Sequence, residues 1–122
     1  HCGSPFDRSA DGMAQWAAGL RALARAPNIV LKVSDLVAYD PRWTEASLRH
    51  VLLTCLDAFG PERCLLASDH PVVTRFASFR QTYESFRAAY ADLTDRELLD
   101  MFARNAARFY GIRNVTLEEK TV

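Results

Sequence analysis

Two short stretches constrain this chain more than anything else in it. Asn28-Ile29-Val30-Leu31-Lys32-Val33-Ser34 and Arg63-Cys64-Leu65-Leu66-Ala67 are apolar at nearly every position, and the first is rich in β-branched residues. A strand that is apolar on both faces must be covered on both faces, which fits a parallel sheet inside an α/β layer and not a half-solvated antiparallel one. Parallel neighbours need a long crossover, and the residues between the two stretches supply a helix for it. Leu48, Val51, Leu52, Cys55, Leu56 and Phe59 recur at helical spacing until Gly60-Pro61 ends the run.

Three further helices are predicted around this unit. Met13, Trp16, Ala17, Leu20, Leu23 and Ala24 predict one over about 10–25, ended by Pro27. Phe76, Phe79, Tyr83, Phe86 and Tyr90 predict a third helix whose aromatic stripe reads as a wide packing face. Thr94 and Glu97 match a capping box opening a fourth, with Leu98, Phe102, Ala106 and Phe109 facing one way and Gly111 at the C-terminal cap. Residues 113–122 read as a polar tail. The order is helix, strand, helix, strand, helix, helix, preceded by a polar strand end at His1.

Charge and cysteine usage narrow the function classes. Lys+Arg 15 balance Asp+Glu 15, so there is no positive field to gather phosphates or anionic lipid, and nucleic acid is not expected as a partner. Apolar runs such as Val51-Leu52-Leu53 fall far short of the roughly 20 residues that cross a bilayer. Cys2, Cys55 and Cys64 are an odd number in a chain that is 49% hydrophobic, which predicts free thiols in a reducing compartment, the cytoplasm by default. The chain starts at His1 with no Met and no basic-then-apolar leader, so its numbering is expected to be that of a fragment.

Chemistry is expected beyond the carboxyl ends of the strands, where parallel α/β folds collect their ligands. Three such ends are visible: His1-Cys2-Gly3-Ser4-Pro5, Ser34-Asp35 and Ser68-Asp69-His70-Pro71. Together they bring imidazole, thiol and carboxylate groups to one crevice. Lys32 alternates with Val33, so if Leu31 and Val33 meet the helices its ammonium faces the interior. There it needs a structural ion-pair partner or a substrate anion. Arg8, Arg42 and Arg75 lie in or near strand-end loops and are candidates for a substrate carboxylate or plain surface residues. His50 lies off its helix's apolar stripe and reads as solvated; Cys2, Cys55 and Cys64 read as packing residues.

These strand ends, with the stretches Pro27–Ser34 and Phe59–Val72 and the segment Asn105-Ala106-Ala107-Arg108-Phe109-Tyr110, resemble the C-terminal part of the amidohydrolase-related (amidohydrolase 2) family. The resemblance runs in order over residues 1–112. It implies the C-terminal portion of a (β/α)8 TIM barrel, from the end of strand 6 through strand 8 and the terminal helices, an incomplete barrel on its own. It further implies a hydrolase in which water attacks a lactone or similar cyclic ester or amide, with a small-molecule substrate and a homo-oligomer in prospect. His1 matches the histidine ending the sixth strand, as metal ligand or carbonyl polariser, and Asp69 the aspartate ending the eighth, as metal ligand or general base. Lys32 and His70 are the expected substrate-binding groups. Zinc is the expected divalent metal, with metal-independent catalysis left open. Two departures stand out: the residue after Asp69, commonly aromatic in the family, is His70, and the family's first-strand His-x-His pair has no counterpart. His1 and Asp69 alone fall short of the three protein ligands usual for catalytic zinc. The isolated 122 residues are therefore expected to be inactive. A metal-dependent decarboxylase of the same family and a non-catalytic α/β module working through dimerisation or a partner are the alternatives.

Overall fold

The computed structural model describes residues 1–113. Its elements are α1 (Ala10–Ala24), β1 (Leu31–Val33), α2 (Glu45–Phe59), β2 (Cys64–Leu66), a 3₁₀ turn (Val72–Arg75), α3 (Phe79–Ala89), α4 (Asp95–Leu99), a π-helical turn (Asp100–Arg104) and α5 (Asn105–Tyr110). β1 and β2 pair in parallel, with Leu31 opposite Cys64, Lys32 opposite Leu65 and Val33 opposite Leu66. On the other edge of β1, the Cys2 N–H donates to Lys32 O at 3.0 Å. The first residues of the chain, β1 and β2 therefore lie side by side and end together, which sets up the site.

Helix α2 is the centre of the molecule. Thr44 and Ser47 cap its start reciprocally, and Gly60, at φ 72°, ends it. Leu48, Val51, Leu52, Cys55 and Phe59 are all buried on one face, so the apolar spacing that predicts the helix is also the surface that holds it. Each such side chain contributes about 1.5–3 kcal/mol when fully removed from water. α2 packs against α1, α3, β1 and β2. Two buried polar tips are satisfied inside this core: Tyr90 Oη donates to Leu52 O at 3.0 Å, and Trp16 Nε1 donates to Cys2 O at 2.7 Å. The second bond anchors the His1 segment to α1. Gly3 is needed there, because its φ is 69° and a Cβ would stand 3.2 Å from Leu20 Cδ2.

Three helical expectations need correction. Leu23 is 50% exposed and lies off the buried face of α1, which is carried by Trp16 and Leu20. Phe76 falls before α3, after the 3₁₀ turn, and Phe76 and Phe79 are exposed; only Phe86 and Tyr90 of the aromatic series are buried. In the last helical stretch the buried residues are Leu99, Met101 and Asn105, while Phe109 is 53% exposed. The π-helical turn is the reason: it widens one turn of the helix and shifts every later side chain off the face that a period of 3.6 assigns. The capping box of Thr94 with Glu97 and the left-handed cap at Gly111 are present. The polar tail falls, from residue 114 on, outside the described residues.

The amino ends of the strands are fastened by side chains on backbone carbonyls. Arg63 donates to Phe59 O, Ala26 O and Ile29 O, and its guanidinium lies over the Phe59 ring. Asn105 Nδ2 donates to Pro61 O at 2.7 Å and Cys64 O at 2.8 Å. Among the described residues, no helix is long and apolar enough to cross a membrane.

Candidate active site

At the opposite, carboxyl end the backbone itself is unusual. Cys2, Ser4, Asp35 and Asp69 all have φ between 53° and 59°, and they are the only non-glycine residues with positive φ among those described. Cys2 and Ser4 lie in the first segment of the chain, and Asp35 and Asp69 lie just past β1 and β2. Left-handed backbone in a non-glycine residue costs energy, on the order of 1–3 kcal/mol, and such strain gathers at functional sites.

The consequence is a convergence of side chains. His1, Asp35 and Asp69 each offer one donor atom, and these atoms all lie within 4.8 Å of one another. His1 Nε2 is 3.9 Å from Asp69 Oδ1. Its Nδ1 shares a 2.9 Å hydrogen bond with Ser34 Oγ, which orients the ring. Asp69 is partly open, its side chain 21% exposed, whereas Asp35 is buried and its Oδ1 has no hydrogen-bond partner. Burial first, then the neighbouring Asp69 carboxylate, hold the Asp35 carboxyl above its ordinary value, while the His1 amino group pulls it partly back. Two carboxylates and an imidazole so arranged are a set of hard and borderline donors suited to a divalent cation.

The other sequence candidates lie outside this cluster. Lys32 is exposed and, among the described residues, has no carboxylate within ion-pair distance. It shares the Ser34 side of β1, one pleat further from the site. His70 is exposed; its N–H donates to Ser68 Oγ and its ring meets Phe79 edge-on at 6.1 Å. Arg8 pairs with Asp40, Arg42 and Arg75 are exposed, and His50 is solvated as expected. All three cysteines are free and buried. Burial pushes the Cys64 thiol up to about 12, and hydrogen bonding with Cys2, together with burial, pushes Cys55 up as well, so these two stay protonated packing groups.

Asp35 is the residue that sequence reasoning missed in part. It stands at a visible strand end, but its carboxylate acquires a role only through contact with groups 34 residues away on either side. The signal available was its position just past the carboxyl end of a buried strand, beside the parallel strand end that leads into Asp69.

An imidazole and two carboxylates gathered at the carboxyl ends of parallel strands form an arrangement able to hold a divalent cation. The chain belongs to the amidohydrolase family, which it matches over residues 1–112. It is 36% identical to the L-fucono-1,5-lactonase of Burkholderia multivorans over 92% of its own length and 42% of the relative's. It is also 32% identical to an uncharacterized protein of Sinorhizobium fredii, over 80% of this chain and 33% of that one. Two crystal structures of a Burkholderia multivorans amidohydrolase superpose on it. One, with bound HEPES, gives a TM-score of 0.82 at 35% identity; the other, with bound zinc, gives 0.83 at 33%. Each comparison covers 91% of this chain and 42% of the neighbour, so the chain spans less than half the length of these relatives.

Proposed function

We propose that this chain is the C-terminal part of a (β/α)8 barrel, from the end of strand 6 through strand 8, in a cytoplasmic enzyme that hydrolyses a small-molecule lactone. The observation that carries this reading is the convergence of His1, Asp35 and Asp69 with the unpaired, buried Oδ1 of Asp35. An unpartnered carboxylate oxygen in a buried place is costly unless a cation meets it. With Asp35 added to His1 and Asp69, three protein donors are at hand, the usual number for a catalytic zinc site. These residues would hold a divalent cation, zinc first, and the zinc-bound structural neighbour supports that choice. When bound, the ion supplies Lewis acidity toward a carbonyl oxygen and lowers the pKa of water.

The residues of this chain account for the rest. Ser34 holds His1 Nδ1, so that Nε2 is the ring nitrogen turned toward Asp69. Asp69, the more open of the two carboxylates, accepts the proton as a water oxygen attacks the lactone carbonyl carbon. The ring C–O bond then breaks, and Asp69 returns the proton to the departing alkoxide, giving a hydroxy acid. Its lactone-named relative favours this reaction over decarboxylation. Lys32, exposed on the same side of β1 as Ser34, is assigned in this reading to an anionic or polar part of the substrate.

The test uses the full-length protein, loaded with zinc and supplied with a panel of sugar lactones, with acid release as the readout. Hydrolysis that disappears on chelation and returns with zinc is the expected result. A protein that binds zinc and hydrolyses no lactone would refute the substrate class; one equally active after chelation would refute the metal. The chain of 122 residues expressed alone is expected to show no activity and to fold in a concentration-dependent way, since parallel strands with open edges require neighbours. A cooperatively unfolding monomer at all concentrations would contradict that.

A further inference from the structure

The loop between β1 and α2, residues 35–44, is tied to both neighbouring segments. Toward the beginning of the chain, Arg8 Nη2 lies 3.5 Å from Asp40 Oδ2 and donates to Ser47 O at 3.5 Å. Asp40 Oδ2 also accepts from Ser47 Oγ at 2.7 Å, and Tyr39 Oη donates to Ser4 Oγ at 3.1 Å. Toward the segment that follows β2, Trp43 Nε1 donates to Phe76 O at 3.2 Å. The three segments carrying His1, Asp35 and Asp69 therefore meet on this one loop, which begins at Asp35 itself.

The Arg8–Asp40 pair is poorly explained as a stabilising contact. Its side chains are only 26% and 20% exposed, its geometry is not bidentate, and Arg8 Nη1 is buried with no partner among the described residues. A largely desolvated ion pair with a spare buried donor gains little or nothing for folding. What it does accomplish is geometric: it fixes the far side of the Asp35 loop against the segment that begins with His1.

We propose that Arg8 and Asp40 are positioning residues that clasp the Asp35 loop to the His1 segment and so set the separation of the cation-binding groups; this rests on the metal-dependent reading above. Among the described residues, Arg8 makes its hydrogen bond and ion pair with Ser47 and Asp40 and none with His1, Asp35 or Asp69, so its effect on them is transmitted through the loop.

The experiment compares Arg8→Met and Asp40→Asn with wild type in the full-length protein. Zinc affinity measured by chelator competition is expected to weaken about tenfold or more, as when an orienting partner of a ligand is lost. The turnover number should fall with KM within about twofold, while the thermal midpoint of the metal-free protein should drop by a few degrees at most, the cost of leaving one mostly buried charge without its partner, and should recover in the charge-reversed pair. Combining Arg8→Asp with Asp40→Arg should recover most of the zinc affinity, while Arg80→Met, which breaks the exposed Arg80–Glu84 pair, should change nothing. Deuterium exchange over residues 35–44 of the metal-free protein should rise in both clasp variants. This last readout needs neither zinc nor lactone, so it decides on the clasp even if wild type takes no zinc and the metal reading falls. Unchanged zinc affinity and unchanged exchange would overturn the proposal. So would a loss of affinity that tracks a falling midpoint and is not recovered by the charge-reversed pair. Should Arg8→Met fail to fold, Arg8→Lys, which keeps the charge and loses the fork, takes the same readings.

Discussion

The two ends of the small parallel sheet are built on opposite principles. At the amino end, Arg63, Asn105 and Arg108 spend their donors on backbone carbonyls, and Asn105 Oδ1 in turn accepts from Arg108 Nη2 at 2.6 Å. The polar groups that meet there have partners. At the carboxyl end, four non-glycine residues sit at positive φ, a buried carboxylate oxygen has no partner, and two carboxylates face one another across a half-exposed imidazole. One end lowers the free energy of the fold; the other raises it and gathers reactive groups. In parallel α/β barrels stability concentrates at the amino face and chemistry at the carboxyl face, and this chain displays both on two short strands.

Substitutions that separate activity from stability test this contrast. The largest effect is expected for Asp69→Asn in the full-length zinc-loaded protein. Loss of a general base lowers kcat/KM by a factor on the order of 10³, equivalent to about 4 kcal/mol of transition-state stabilisation, with the thermal midpoint of the metal-free protein nearly unmoved. Steady-state lactone hydrolysis and calorimetry read the two quantities; retained activity would remove Asp69 from the role of base. Next comes Asn105→Leu at the other end. It keeps the branched shape but removes the donor that meets Pro61 O and Cys64 O in a place where the residue is 2% exposed. The expected cost is about 3 kcal/mol, or roughly 6–12 °C in the midpoint of the full-length protein, with KM and zinc affinity unchanged. A catalytic loss without a stability loss there would break the division between the two ends.

What the sequence made legible follows the range of the interactions involved. Helix α2 was readable because burial of Leu48, Leu52 and Cys55 repeats at the helical period, and the strands because an unbroken apolar run such as Cys64, Leu65 and Leu66 is covered on both faces. The Thr94–Glu97 capping box and the Gly111 cap were readable because their partners are within a few residues. The π-helical turn was not, since nothing in Asp100–Arg104 breaks a period of 3.6 on paper. Of the site, Asp69 and His1 were visible as chemistry at strand ends. The participation of Asp35 was not, because it depends on the parallel register and on the Cys2-to-Lys32 hydrogen bond, both long-range. The ties of Arg8 to Asp40 and of Trp43 to Phe76 were equally out of reach for the same reason.

The smallest expected effect is also the one that tests the cost of the carboxyl end most directly. Asp35 binds its proton more tightly in the folded chain than in the unfolded one, because burial and Asp69 oppose its charge. The stability associated with that proton is fully present below the ordinary aspartate value near 3.9 and is lost as pH rises through the higher folded value. At neutral pH the metal-free protein therefore carries a destabilising carboxylate, and Asp35→Asn, which keeps the shape and removes the charge, is expected to stabilise it by on the order of 1 kcal/mol. The gain should shrink as pH falls below the folded value, where the wild-type carboxyl is itself neutral. The same variant should bind zinc more weakly, so that adding zinc raises the midpoint of wild type more than that of the variant. Urea titrations at several pH values, with and without zinc, read both halves. If Asp35→Asn destabilises the metal-free protein at neutral pH, the carboxylate is a supporting contact of the fold and the division between the two ends fails at its most buried acid.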